Sequence, residues 1–307
     1  MPQKRQLVFL FRCLVVISVI VALGYTVRQS WQQLTETDFR LASVNGWAWL
    51  EAIVVYLAAM FLACVFWHRI LIALGQQPAF SKTLLAFFAS QLGKYVPGKA
   101  MVVIVRTDIV SGPQVKTAPA AASVFVETLT WIFVGSVVAC ILLPFQVATH
   151  PALQATAWGL AILAGVLTSP PIFRKIAALI LKSKVGETDF LAGLNLRALS
   201  VGWLLMGVGW LLNGLSLWLV IRGLPETNVV ASDFWLTLTC VSLATVAGFV
   251  SLLPGGLGVR ELVMIPLLGA RFGVPTALIA AVVIRLVWLG AELLSAGIIF
   301  IVSRRTR

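Results

Sequence analysis

Residues 83–110 read TLLAFFASQLGKYVPGKAMVVIVRTDIV, a hydrophobic stretch interrupted in its middle by Lys94-Tyr95-Val96-Pro97-Gly98-Lys99. Proline removes a backbone donor and clashes with the preceding helical turn, and glycine admits conformations that a helix cannot use. Each arm beside the break has only about a dozen residues, too few to cross a hydrocarbon core about 30 Å thick. The stretch therefore predicts either one kinked crossing or a re-entrant helical hairpin.

A second stretch of the same kind covers residues 233–271 and is broken at Pro254-Gly255-Gly256-Leu257-Gly258. Its leading arm is nearly long enough to cross a membrane alone. The same two interpretations apply to it. In either case, irregular backbone at membrane depth must be buried in protein or line a wet cavity.

The chain around these stretches has the composition of a membrane protein. Of 307 residues, 60% are hydrophobic and 11% are charged, against roughly a quarter charged in soluble domains. Apolar runs of crossing length cover residues 7–27, 47–66, 120–143, 152–167, 198–221 and 277–302. The first run is too long for the apolar core of a signal peptide, so we expect an uncleaved helix. The fold class predicted is an all-α, polytopic integral membrane protein.

The basic residues distinguish the two interpretations of the broken stretches, because cytoplasmic loops carry an excess of Lys and Arg. With two re-entrant hairpins, 13 basic residues fall inside and 4 outside; with two full crossings the count is 8 inside and 9 outside. The 13 are Lys4, Arg5, Arg69, Lys82, Lys116, Arg174, Lys175, Lys182, Lys184, Arg197, Arg304, Arg305 and Arg307, and the 4 are Arg28, Arg40, Arg222 and Arg271. The charges favour six crossings, cytoplasmic termini, and hairpins that enter from opposite sides.

This order predicts an inverted repeat within a single membrane domain, residues 1–307. Each repeat has the order span, hairpin, span, with a binding site at the repeat interface near the midplane. The predicted parts are a first helix and external loop (1–46), repeat one (47–143, hairpin 83–110), a connecting helix and basic cytoplasmic loop (144–197), repeat two (198–302, hairpin 233–271) and a basic cytoplasmic tail (303–307).

The two breaks are candidate anion sites, because the half-helices that follow them present free backbone N–H groups and a positive dipole end beside basic side chains. The alternative is that Pro-Gly pairs only turn the chain and the lysines reach to lipid headgroups. The candidate substrate-binding residues are Lys94, Tyr95, Pro97, Gly98, Lys99, Pro254, Gly255, Gly256, Gly258, Arg260 and Glu261.

Three further ionisable residues lie within apolar helices, where each needs a partner or a wet cavity. They are Glu127, Arg285 and Glu292, predicted as buried charges or proton-coupling groups. For Glu127 the alternatives are an ion pair with a basic residue such as Arg285, Lys94 or Lys99, or a role in proton coupling. Arg106, near the end of the first hairpin, is expected at the cytoplasmic interface.

Other classes of function find no support in the sequence. Cys13, Cys64, Cys140 and Cys240 lie in apolar runs without the spacing of a metal site or a disulfide framework. The basic residues that give the net charge of +12 cluster beside the predicted spans. Orientation of the protein in the membrane and contact with anionic lipid explain this placement better than binding of nucleic acid. We expect no cofactor, no metal and no enzyme activity, and the oligomeric state is left open.

Residues 93–99 (GKYVPGK) and 253–261 (LPGGLGVRE) resemble the two signatures of the lysylphosphatidylglycerol synthase transmembrane family, the flippase-like domain. The resemblance covers residues 47–302. It implies a prokaryotic plasma membrane and movement of a lipid or lipid-linked headgroup between leaflets.

The resemblance carries over binding-site positions and a buried acid: Lys94, Lys99, Pro254, Gly255, Gly256, Gly258, Arg260, Glu261 and, as the acid, Glu127. Thr128 and Trp131 stand where the family often has Arg and Asp, so the ion pair of Glu127 needs other partners. We also expect no soluble aminoacyl transferase domain, and hence no aminoacyl transfer.

The leading hypothesis is therefore a lipid transporter or flippase for an anionic or lipid-linked headgroup. A membrane-embedded lipid transferase is one alternative. Another is an accessory subunit of an envelope lipid or glycan assembly complex, with an enzyme as partner.

Overall fold

The computed structural model describes residues 44–96, 100–146, 151–169, 171–173, 175–176, 191, 193–251, 253, 256 and 258–305, together with residues 21, 24, 25, 28 and 32. These residues are almost entirely helical. The helices are α1 (Gly46–Ala73), α2 (Phe80–Gln91), α3 (Ala100–Val110), α4 (Thr117–Gln146), α5 (Pro151–Thr168), α6 (Leu196–Arg222), α7 (Asp233–Val250), α8 (Val259–Phe272) and α9 (Val274–Arg305). A 3-10 turn, Leu92–Tyr95, follows α2.

Among the described residues, five helices are long and apolar enough to cross a membrane: α1, α4, α6, α7 and, over Val274–Ile299, α9. The chain is a polytopic, all-α membrane protein, as predicted. Four of the predicted runs coincide with α1, α4, α6 and α9, and the run at 152–167 coincides with α5. The structure describes only residues 21, 24 and 25 of the run at 7–27, and residues 177–190 of the basic loop lie outside the described residues, so the number of crossings and the side of the termini stay predictions.

Helices α2 and α3, with the 3-10 turn between them, form the first helical hairpin, hairpin 1. Lys82 Nζ, near the start of α2, donates to the carbonyl of Ser111, just after α3, at 2.9 Å. The two ends of the hairpin therefore lie together. At 12 and 11 residues, the arms are about 18 and 17 Å long. Both are too short to cross, as predicted, while their position in a membrane stays a prediction.

Helices α7 and α8 form hairpin 2, whose two ends are joined by an ion pair. Arg271 Nε, near the end of α8, lies 2.9 Å from Asp233 Oδ1 at the start of α7. The break between the arms falls at residues 251–258, as the Pro and Gly residues predict. Because α7 is itself long enough to cross, the re-entrant position of hairpin 2 also stays a prediction.

The helix packing has the pairwise correspondence that a two-repeat architecture requires. When α1, α2, α3 and α4 are exchanged with α6, α7, α8 and α9, the α1–α6 pair maps onto itself and every other packed pair among these helices maps onto a second packed pair. Thus α4 packs on α7 as α9 packs on α2, and α4 packs on α6 as α9 packs on α1. Helix α5 packs on α4 outside this scheme. The packing supports the repeat, whose division at residues 47–143 and 198–302 stays a prediction.

The most extensive helix contact joins α1 and α6, the first helices of the two predicted repeats. A glycine makes it close: a Cβ added to Gly202 would lie 2.2 Å from the ring of Phe66, which is fully buried. Small residues allow such close approach between helices in a bilayer, where packing rather than water exclusion drives association. The α1–α6 pair therefore forms the centre against which both hairpins pack.

Candidate functional site

The end of hairpin 1 meets helix α9 at Glu292, whose side chain is fully buried. Three side chains donate to this carboxylate. Lys94 Nζ and the Tyr56 hydroxyl contact Oε1, and the Tyr95 hydroxyl donates to Oε2 at 3.2 Å. The two hydroxyls and the ammonium replace the water that a carboxylate at this depth has lost. They also join α1, hairpin 1 and α9 at one point.

Hairpin 2 contributes a second buried ion pair to the same region. Glu261, in the first turn of α8, contacts the guanidinium of Arg285 on α9, and both side chains are less than a tenth exposed. Arg285 lies seven residues, about two helical turns, before Glu292. Helix α9 therefore carries one cation bound by hairpin 2 and one anion bound by hairpin 1.

Arg260 belongs to the same region, and within the described part of the chain no carboxylate pairs with it. Its buried Nε has no hydrogen-bond partner there, and the same holds for both carboxylate oxygens of Glu261 and for Nη1 and Nη2 of Arg285. Its guanidinium lies 5.6 Å from the ring centre of Trp288, and that ring stacks on Tyr56 at 4.7 Å. Cation–π contact attracts the guanidinium without occupying its N–H donors, so Arg260 keeps donors for a further acceptor.

The backbone of hairpin 2 holds Arg260 closely. A Cβ added to Gly248 on α7 would lie 3.0 Å from Arg260 Cγ and 3.3 Å from the Cα of Gly256. Gly256 itself has φ +70 and Gly258 has φ +78, values that side chains disfavour. Helix α8 begins after Gly258, which as the N-cap residue supplies no side-chain cap. The first N–H groups of α8 are therefore candidate donors for an acceptor.

The charges of this cluster do not cancel. Lys94, Arg260 and Arg285 are cationic, while only Glu261 and Glu292 are anionic. Because charges interact strongly where water is excluded, an unbalanced cation favours an anionic partner. The uncapped start of α8 adds a positive dipole end beside Arg260. Together these features suit an oxygen-rich anion such as a phosphate group.

A second buried network lies apart from the cluster, within hairpin 1 and helix α4. Arg106 Nη1 lies 2.7 Å from Glu127 Oε2, and Arg106 Nε donates to Ser90 Oγ at 3.0 Å. Its guanidinium also lies 4.9 and 4.4 Å from the ring centres of Trp67 and Phe87. The charge of Arg106 is therefore paired with a carboxylate inside the protein.

Two predictions concern this network. Arg106 was expected at the cytoplasmic interface; its side chain is buried within the protein, 2% exposed, and its depth in a membrane stays a prediction. Glu127 was expected to pair with a basic residue such as Arg285, Lys94 or Lys99; it does pair with a basic residue, but with Arg106 and not with one of these three. The reason is the rotation of α3 about its axis, which directs Arg106 towards α4 and between two aromatic rings rather than outwards.

Comparison with known proteins identifies the family of the chain. Residues 9–294 match the family described as the lysylphosphatidylglycerol synthase transmembrane region. The chain belongs to this family. No curated protein matches the chain. Membership indicates that the chain associates with membrane lipid and has a lipid-related function. The matched region includes the whole cluster around Glu292.

The structure brings together some of the site residues predicted from the sequence. Lys94, Tyr95, Arg260, Glu261, Arg285 and Glu292 lie in the cluster, and Gly256 packs beside it. Gly258 is exposed. Pro97, Gly98, Lys99, Pro254 and Gly255 lie outside the described residues. Glu127, predicted as a buried charge, is buried but belongs to the network with Arg106.

Three residues of the site were missed in the sequence. Tyr56 is one of only three tyrosines in the chain, and a hydroxyl in a long apolar helix needs a partner, which was an available signal. Trp288 follows Arg285 by three residues and so lies on the same face of α9. Gly248 gave no signal, because its role depends on how α7 packs beside Arg260. In the described part of the chain, no group of three His, Cys, Asp or Glu side chains could hold a metal.

Proposed function

We propose that this protein binds the anionic headgroup of a membrane lipid between hairpin 1 and hairpin 2 and carries it between the leaflets of a prokaryotic plasma membrane. The observation that carries the proposal is Arg260, a cation whose buried Nε has no hydrogen-bond partner among the described residues, beside two carboxylates that each already contact another cation. Family membership supports a lipid as the source of the anion.

In this proposal Arg260 donates to a phosphate oxygen, since a guanidinium offers several donors in a geometry that suits phosphate. The uncapped N–H groups at the start of α8 face further oxygens. The acyl chains remain in the bilayer, so that only the headgroup enters the protein. Rocking of one repeat against the other would expose the site to each side in turn.

In this proposal the protein has six crossings, two re-entrant hairpins and cytoplasmic termini. It performs no covalent chemistry. The charge count along the sequence supports this topology. The separate ion pairs of Glu261 and Glu292 also argue against a transferase, because each carboxylate is bound by a cation and neither is placed as a free base.

The test is transport in proteoliposomes that contain a fluorescent anionic phosphodiester lipid, with the outer leaflet quenched chemically. We expect Arg260→Gln to slow transport by about tenfold or more, since a hydrogen bond to a charged group contributes about 1.5–3 kcal/mol. Arg222→Gln is the matched control, because Arg222 pairs with Glu51 at an exposed position away from the cluster.

Wild-type transport by Arg260→Gln would refute the site. A lipid product of altered mass would indicate a transferase instead. No transport by the wild-type protein alone, together with stable co-purification of an envelope enzyme, would indicate an accessory subunit.

A further inference from the structure

Glu292 is held in the way that a bound anion would be held. Its oxygens accept from Lys94, Tyr56 and Tyr95, and its side chain is fully buried. An ammonium and two hydroxyls are also a suitable donor set for phosphate oxygens. Glu292 therefore accepts hydrogen bonds from donors that lie beside Arg260. An incoming headgroup could accept from the same donors.

Of the two ion pairs in the cluster, this one is the more exposed. The side chain of Lys94 is 23% exposed, whereas those of Glu261 and Arg285 are 8% and 5% exposed. Lys94 also belongs to hairpin 1, while Glu292 belongs to α9 of the other predicted repeat. A ligand that draws Lys94 away therefore separates the two repeats at this point.

We propose that the lipid anion displaces Glu292 from Lys94 and that Glu292 then takes up one proton, so that one proton accompanies each bound anion. This inference rests on the proposed function and specifies how transport is coupled. It names a proton as the co-transported species and Glu292, rather than Glu127, as the group that binds it.

The charged and titratable groups around Glu292 support this assignment. Helix α1 presents Tyr56, the turn of hairpin 1 presents Lys94 and Tyr95, α8 presents Arg260 and Glu261, and α9 itself presents Arg285. Of the other helices packed on α9, α6 is charged only at Arg197 and Arg222, and α2 only at Lys82, which donates to Ser111.

The balance of charge gives the step its direction. While Lys94 binds Glu292, the cluster has one net positive charge from five charged groups. Arrival of a phosphodiester monoanion cancels that charge but takes Lys94 from Glu292, leaving a buried carboxylate with only neutral hydroxyl donors. A buried charge without an ionic partner is costly, and a proton from the aqueous phase removes the cost. The net change is one anion and one proton bound.

Proton uptake can be measured directly on the purified full chain. A short-chain phosphatidylglycerol is titrated into the protein in weakly buffered detergent solution with a pH-indicator dye, and lipid binding is measured in parallel. We expect about one proton taken up per lipid bound, and an affinity that rises about tenfold for each unit of falling pH while the uptake is complete, as linkage requires.

Glu292→Gln should bind the lipid without proton uptake and with little dependence on pH, because its side chain stays neutral. Glu51→Gln, at an exposed ion pair, is the control and should behave as the wild type. The wild-type stoichiometry tests the inference even where Glu292→Gln fails to fold.

The outcomes separate the two proposals. Absence of saturable lipid binding by the wild-type protein overturns the proposed function and this inference with it. Lipid binding without proton uptake, or uptake that persists in Glu292→Gln, overturns the coupling and leaves the proposed function standing.

Discussion

Replacing Arg106 by Met should destabilise the protein strongly, because it removes the partner of a buried carboxylate. Arg106 and Glu127 are 2.7 Å apart with side chains 2% and 9% exposed. Removing one member of a buried pair typically costs about 3–5 kcal/mol, since the remaining charge is left without compensation. Loss of the hydrogen bond to Ser90 and of the contacts with Trp67 and Phe87 adds to this cost.

The chain provides a matched control in a second Arg–Glu pair. Arg222 and Glu51 also lie 2.7 Å apart, but their side chains are 42% and 52% exposed. Exposed pairs contribute at most about 1 kcal/mol. The variants Arg106→Met and Arg222→Met therefore differ in burial while the chemistry and the distance are the same.

The free energy of unfolding can be measured in mixed micelles through the fluorescence of the eleven tryptophans. The set should include Glu127→Leu and the double variant Arg106→Met/Glu127→Leu, because a buried pair replaced by apolar residues is often tolerated without loss. We expect the double variant to be more stable than Arg106→Met. An Arg106→Met variant within about 1 kcal/mol of the wild type, or a double variant whose loss is the sum of the two single losses, would refute the reasoning.

Two other predictions concern the site and the topology. Gly248→Ala should weaken binding of an anionic lipid, because its Cβ would lie 3.0 Å from Arg260 Cγ. The control Gly207→Ala, whose Cβ meets nothing within 4 Å, should bind the lipid as the wild type does. Equal binding by the two variants would contradict the role of Gly248. Single cysteines introduced at the exposed positions Gln114 and Glu226 should react with a membrane-impermeant maleimide from opposite sides, the first from the cytoplasm. Labelling of both from one side would exclude the predicted hairpin orientations.

The sequence predicted the hairpin breaks well because proline and glycine act locally. Helix α2 ends three residues before Lys94, and α8 begins one residue after Gly258, so both interruptions fall where Pro and Gly exclude a helix. The same locality explains the bounds of the apolar helices. Their ends follow from where hydrophobic runs meet polar residues, with little influence from distant contacts.

The partners of buried charges could not be predicted in the same way. Tyr56 and Glu292 are 236 residues apart, and their contact depends on the packing of α1 against α9. Arg106 illustrates the same limit at short range, since its position near the end of a hairpin is equally compatible with an interfacial or a buried side chain. The rotation of each helix, set by packing, decides between them.

The spacing of the ion pairs along the chain has a consequence for biosynthesis. Arg106 precedes Glu127 by 21 residues, so this pair can form as soon as α4 has left the ribosome. Glu261 and Arg285 are similarly close. Lys94, in contrast, precedes Glu292 by 198 residues, and for most of translation its ammonium has no carboxylate to meet. Helix α9 therefore supplies the carboxylate for Lys94, and a nascent chain that stops before Glu292 would leave this ammonium without that partner.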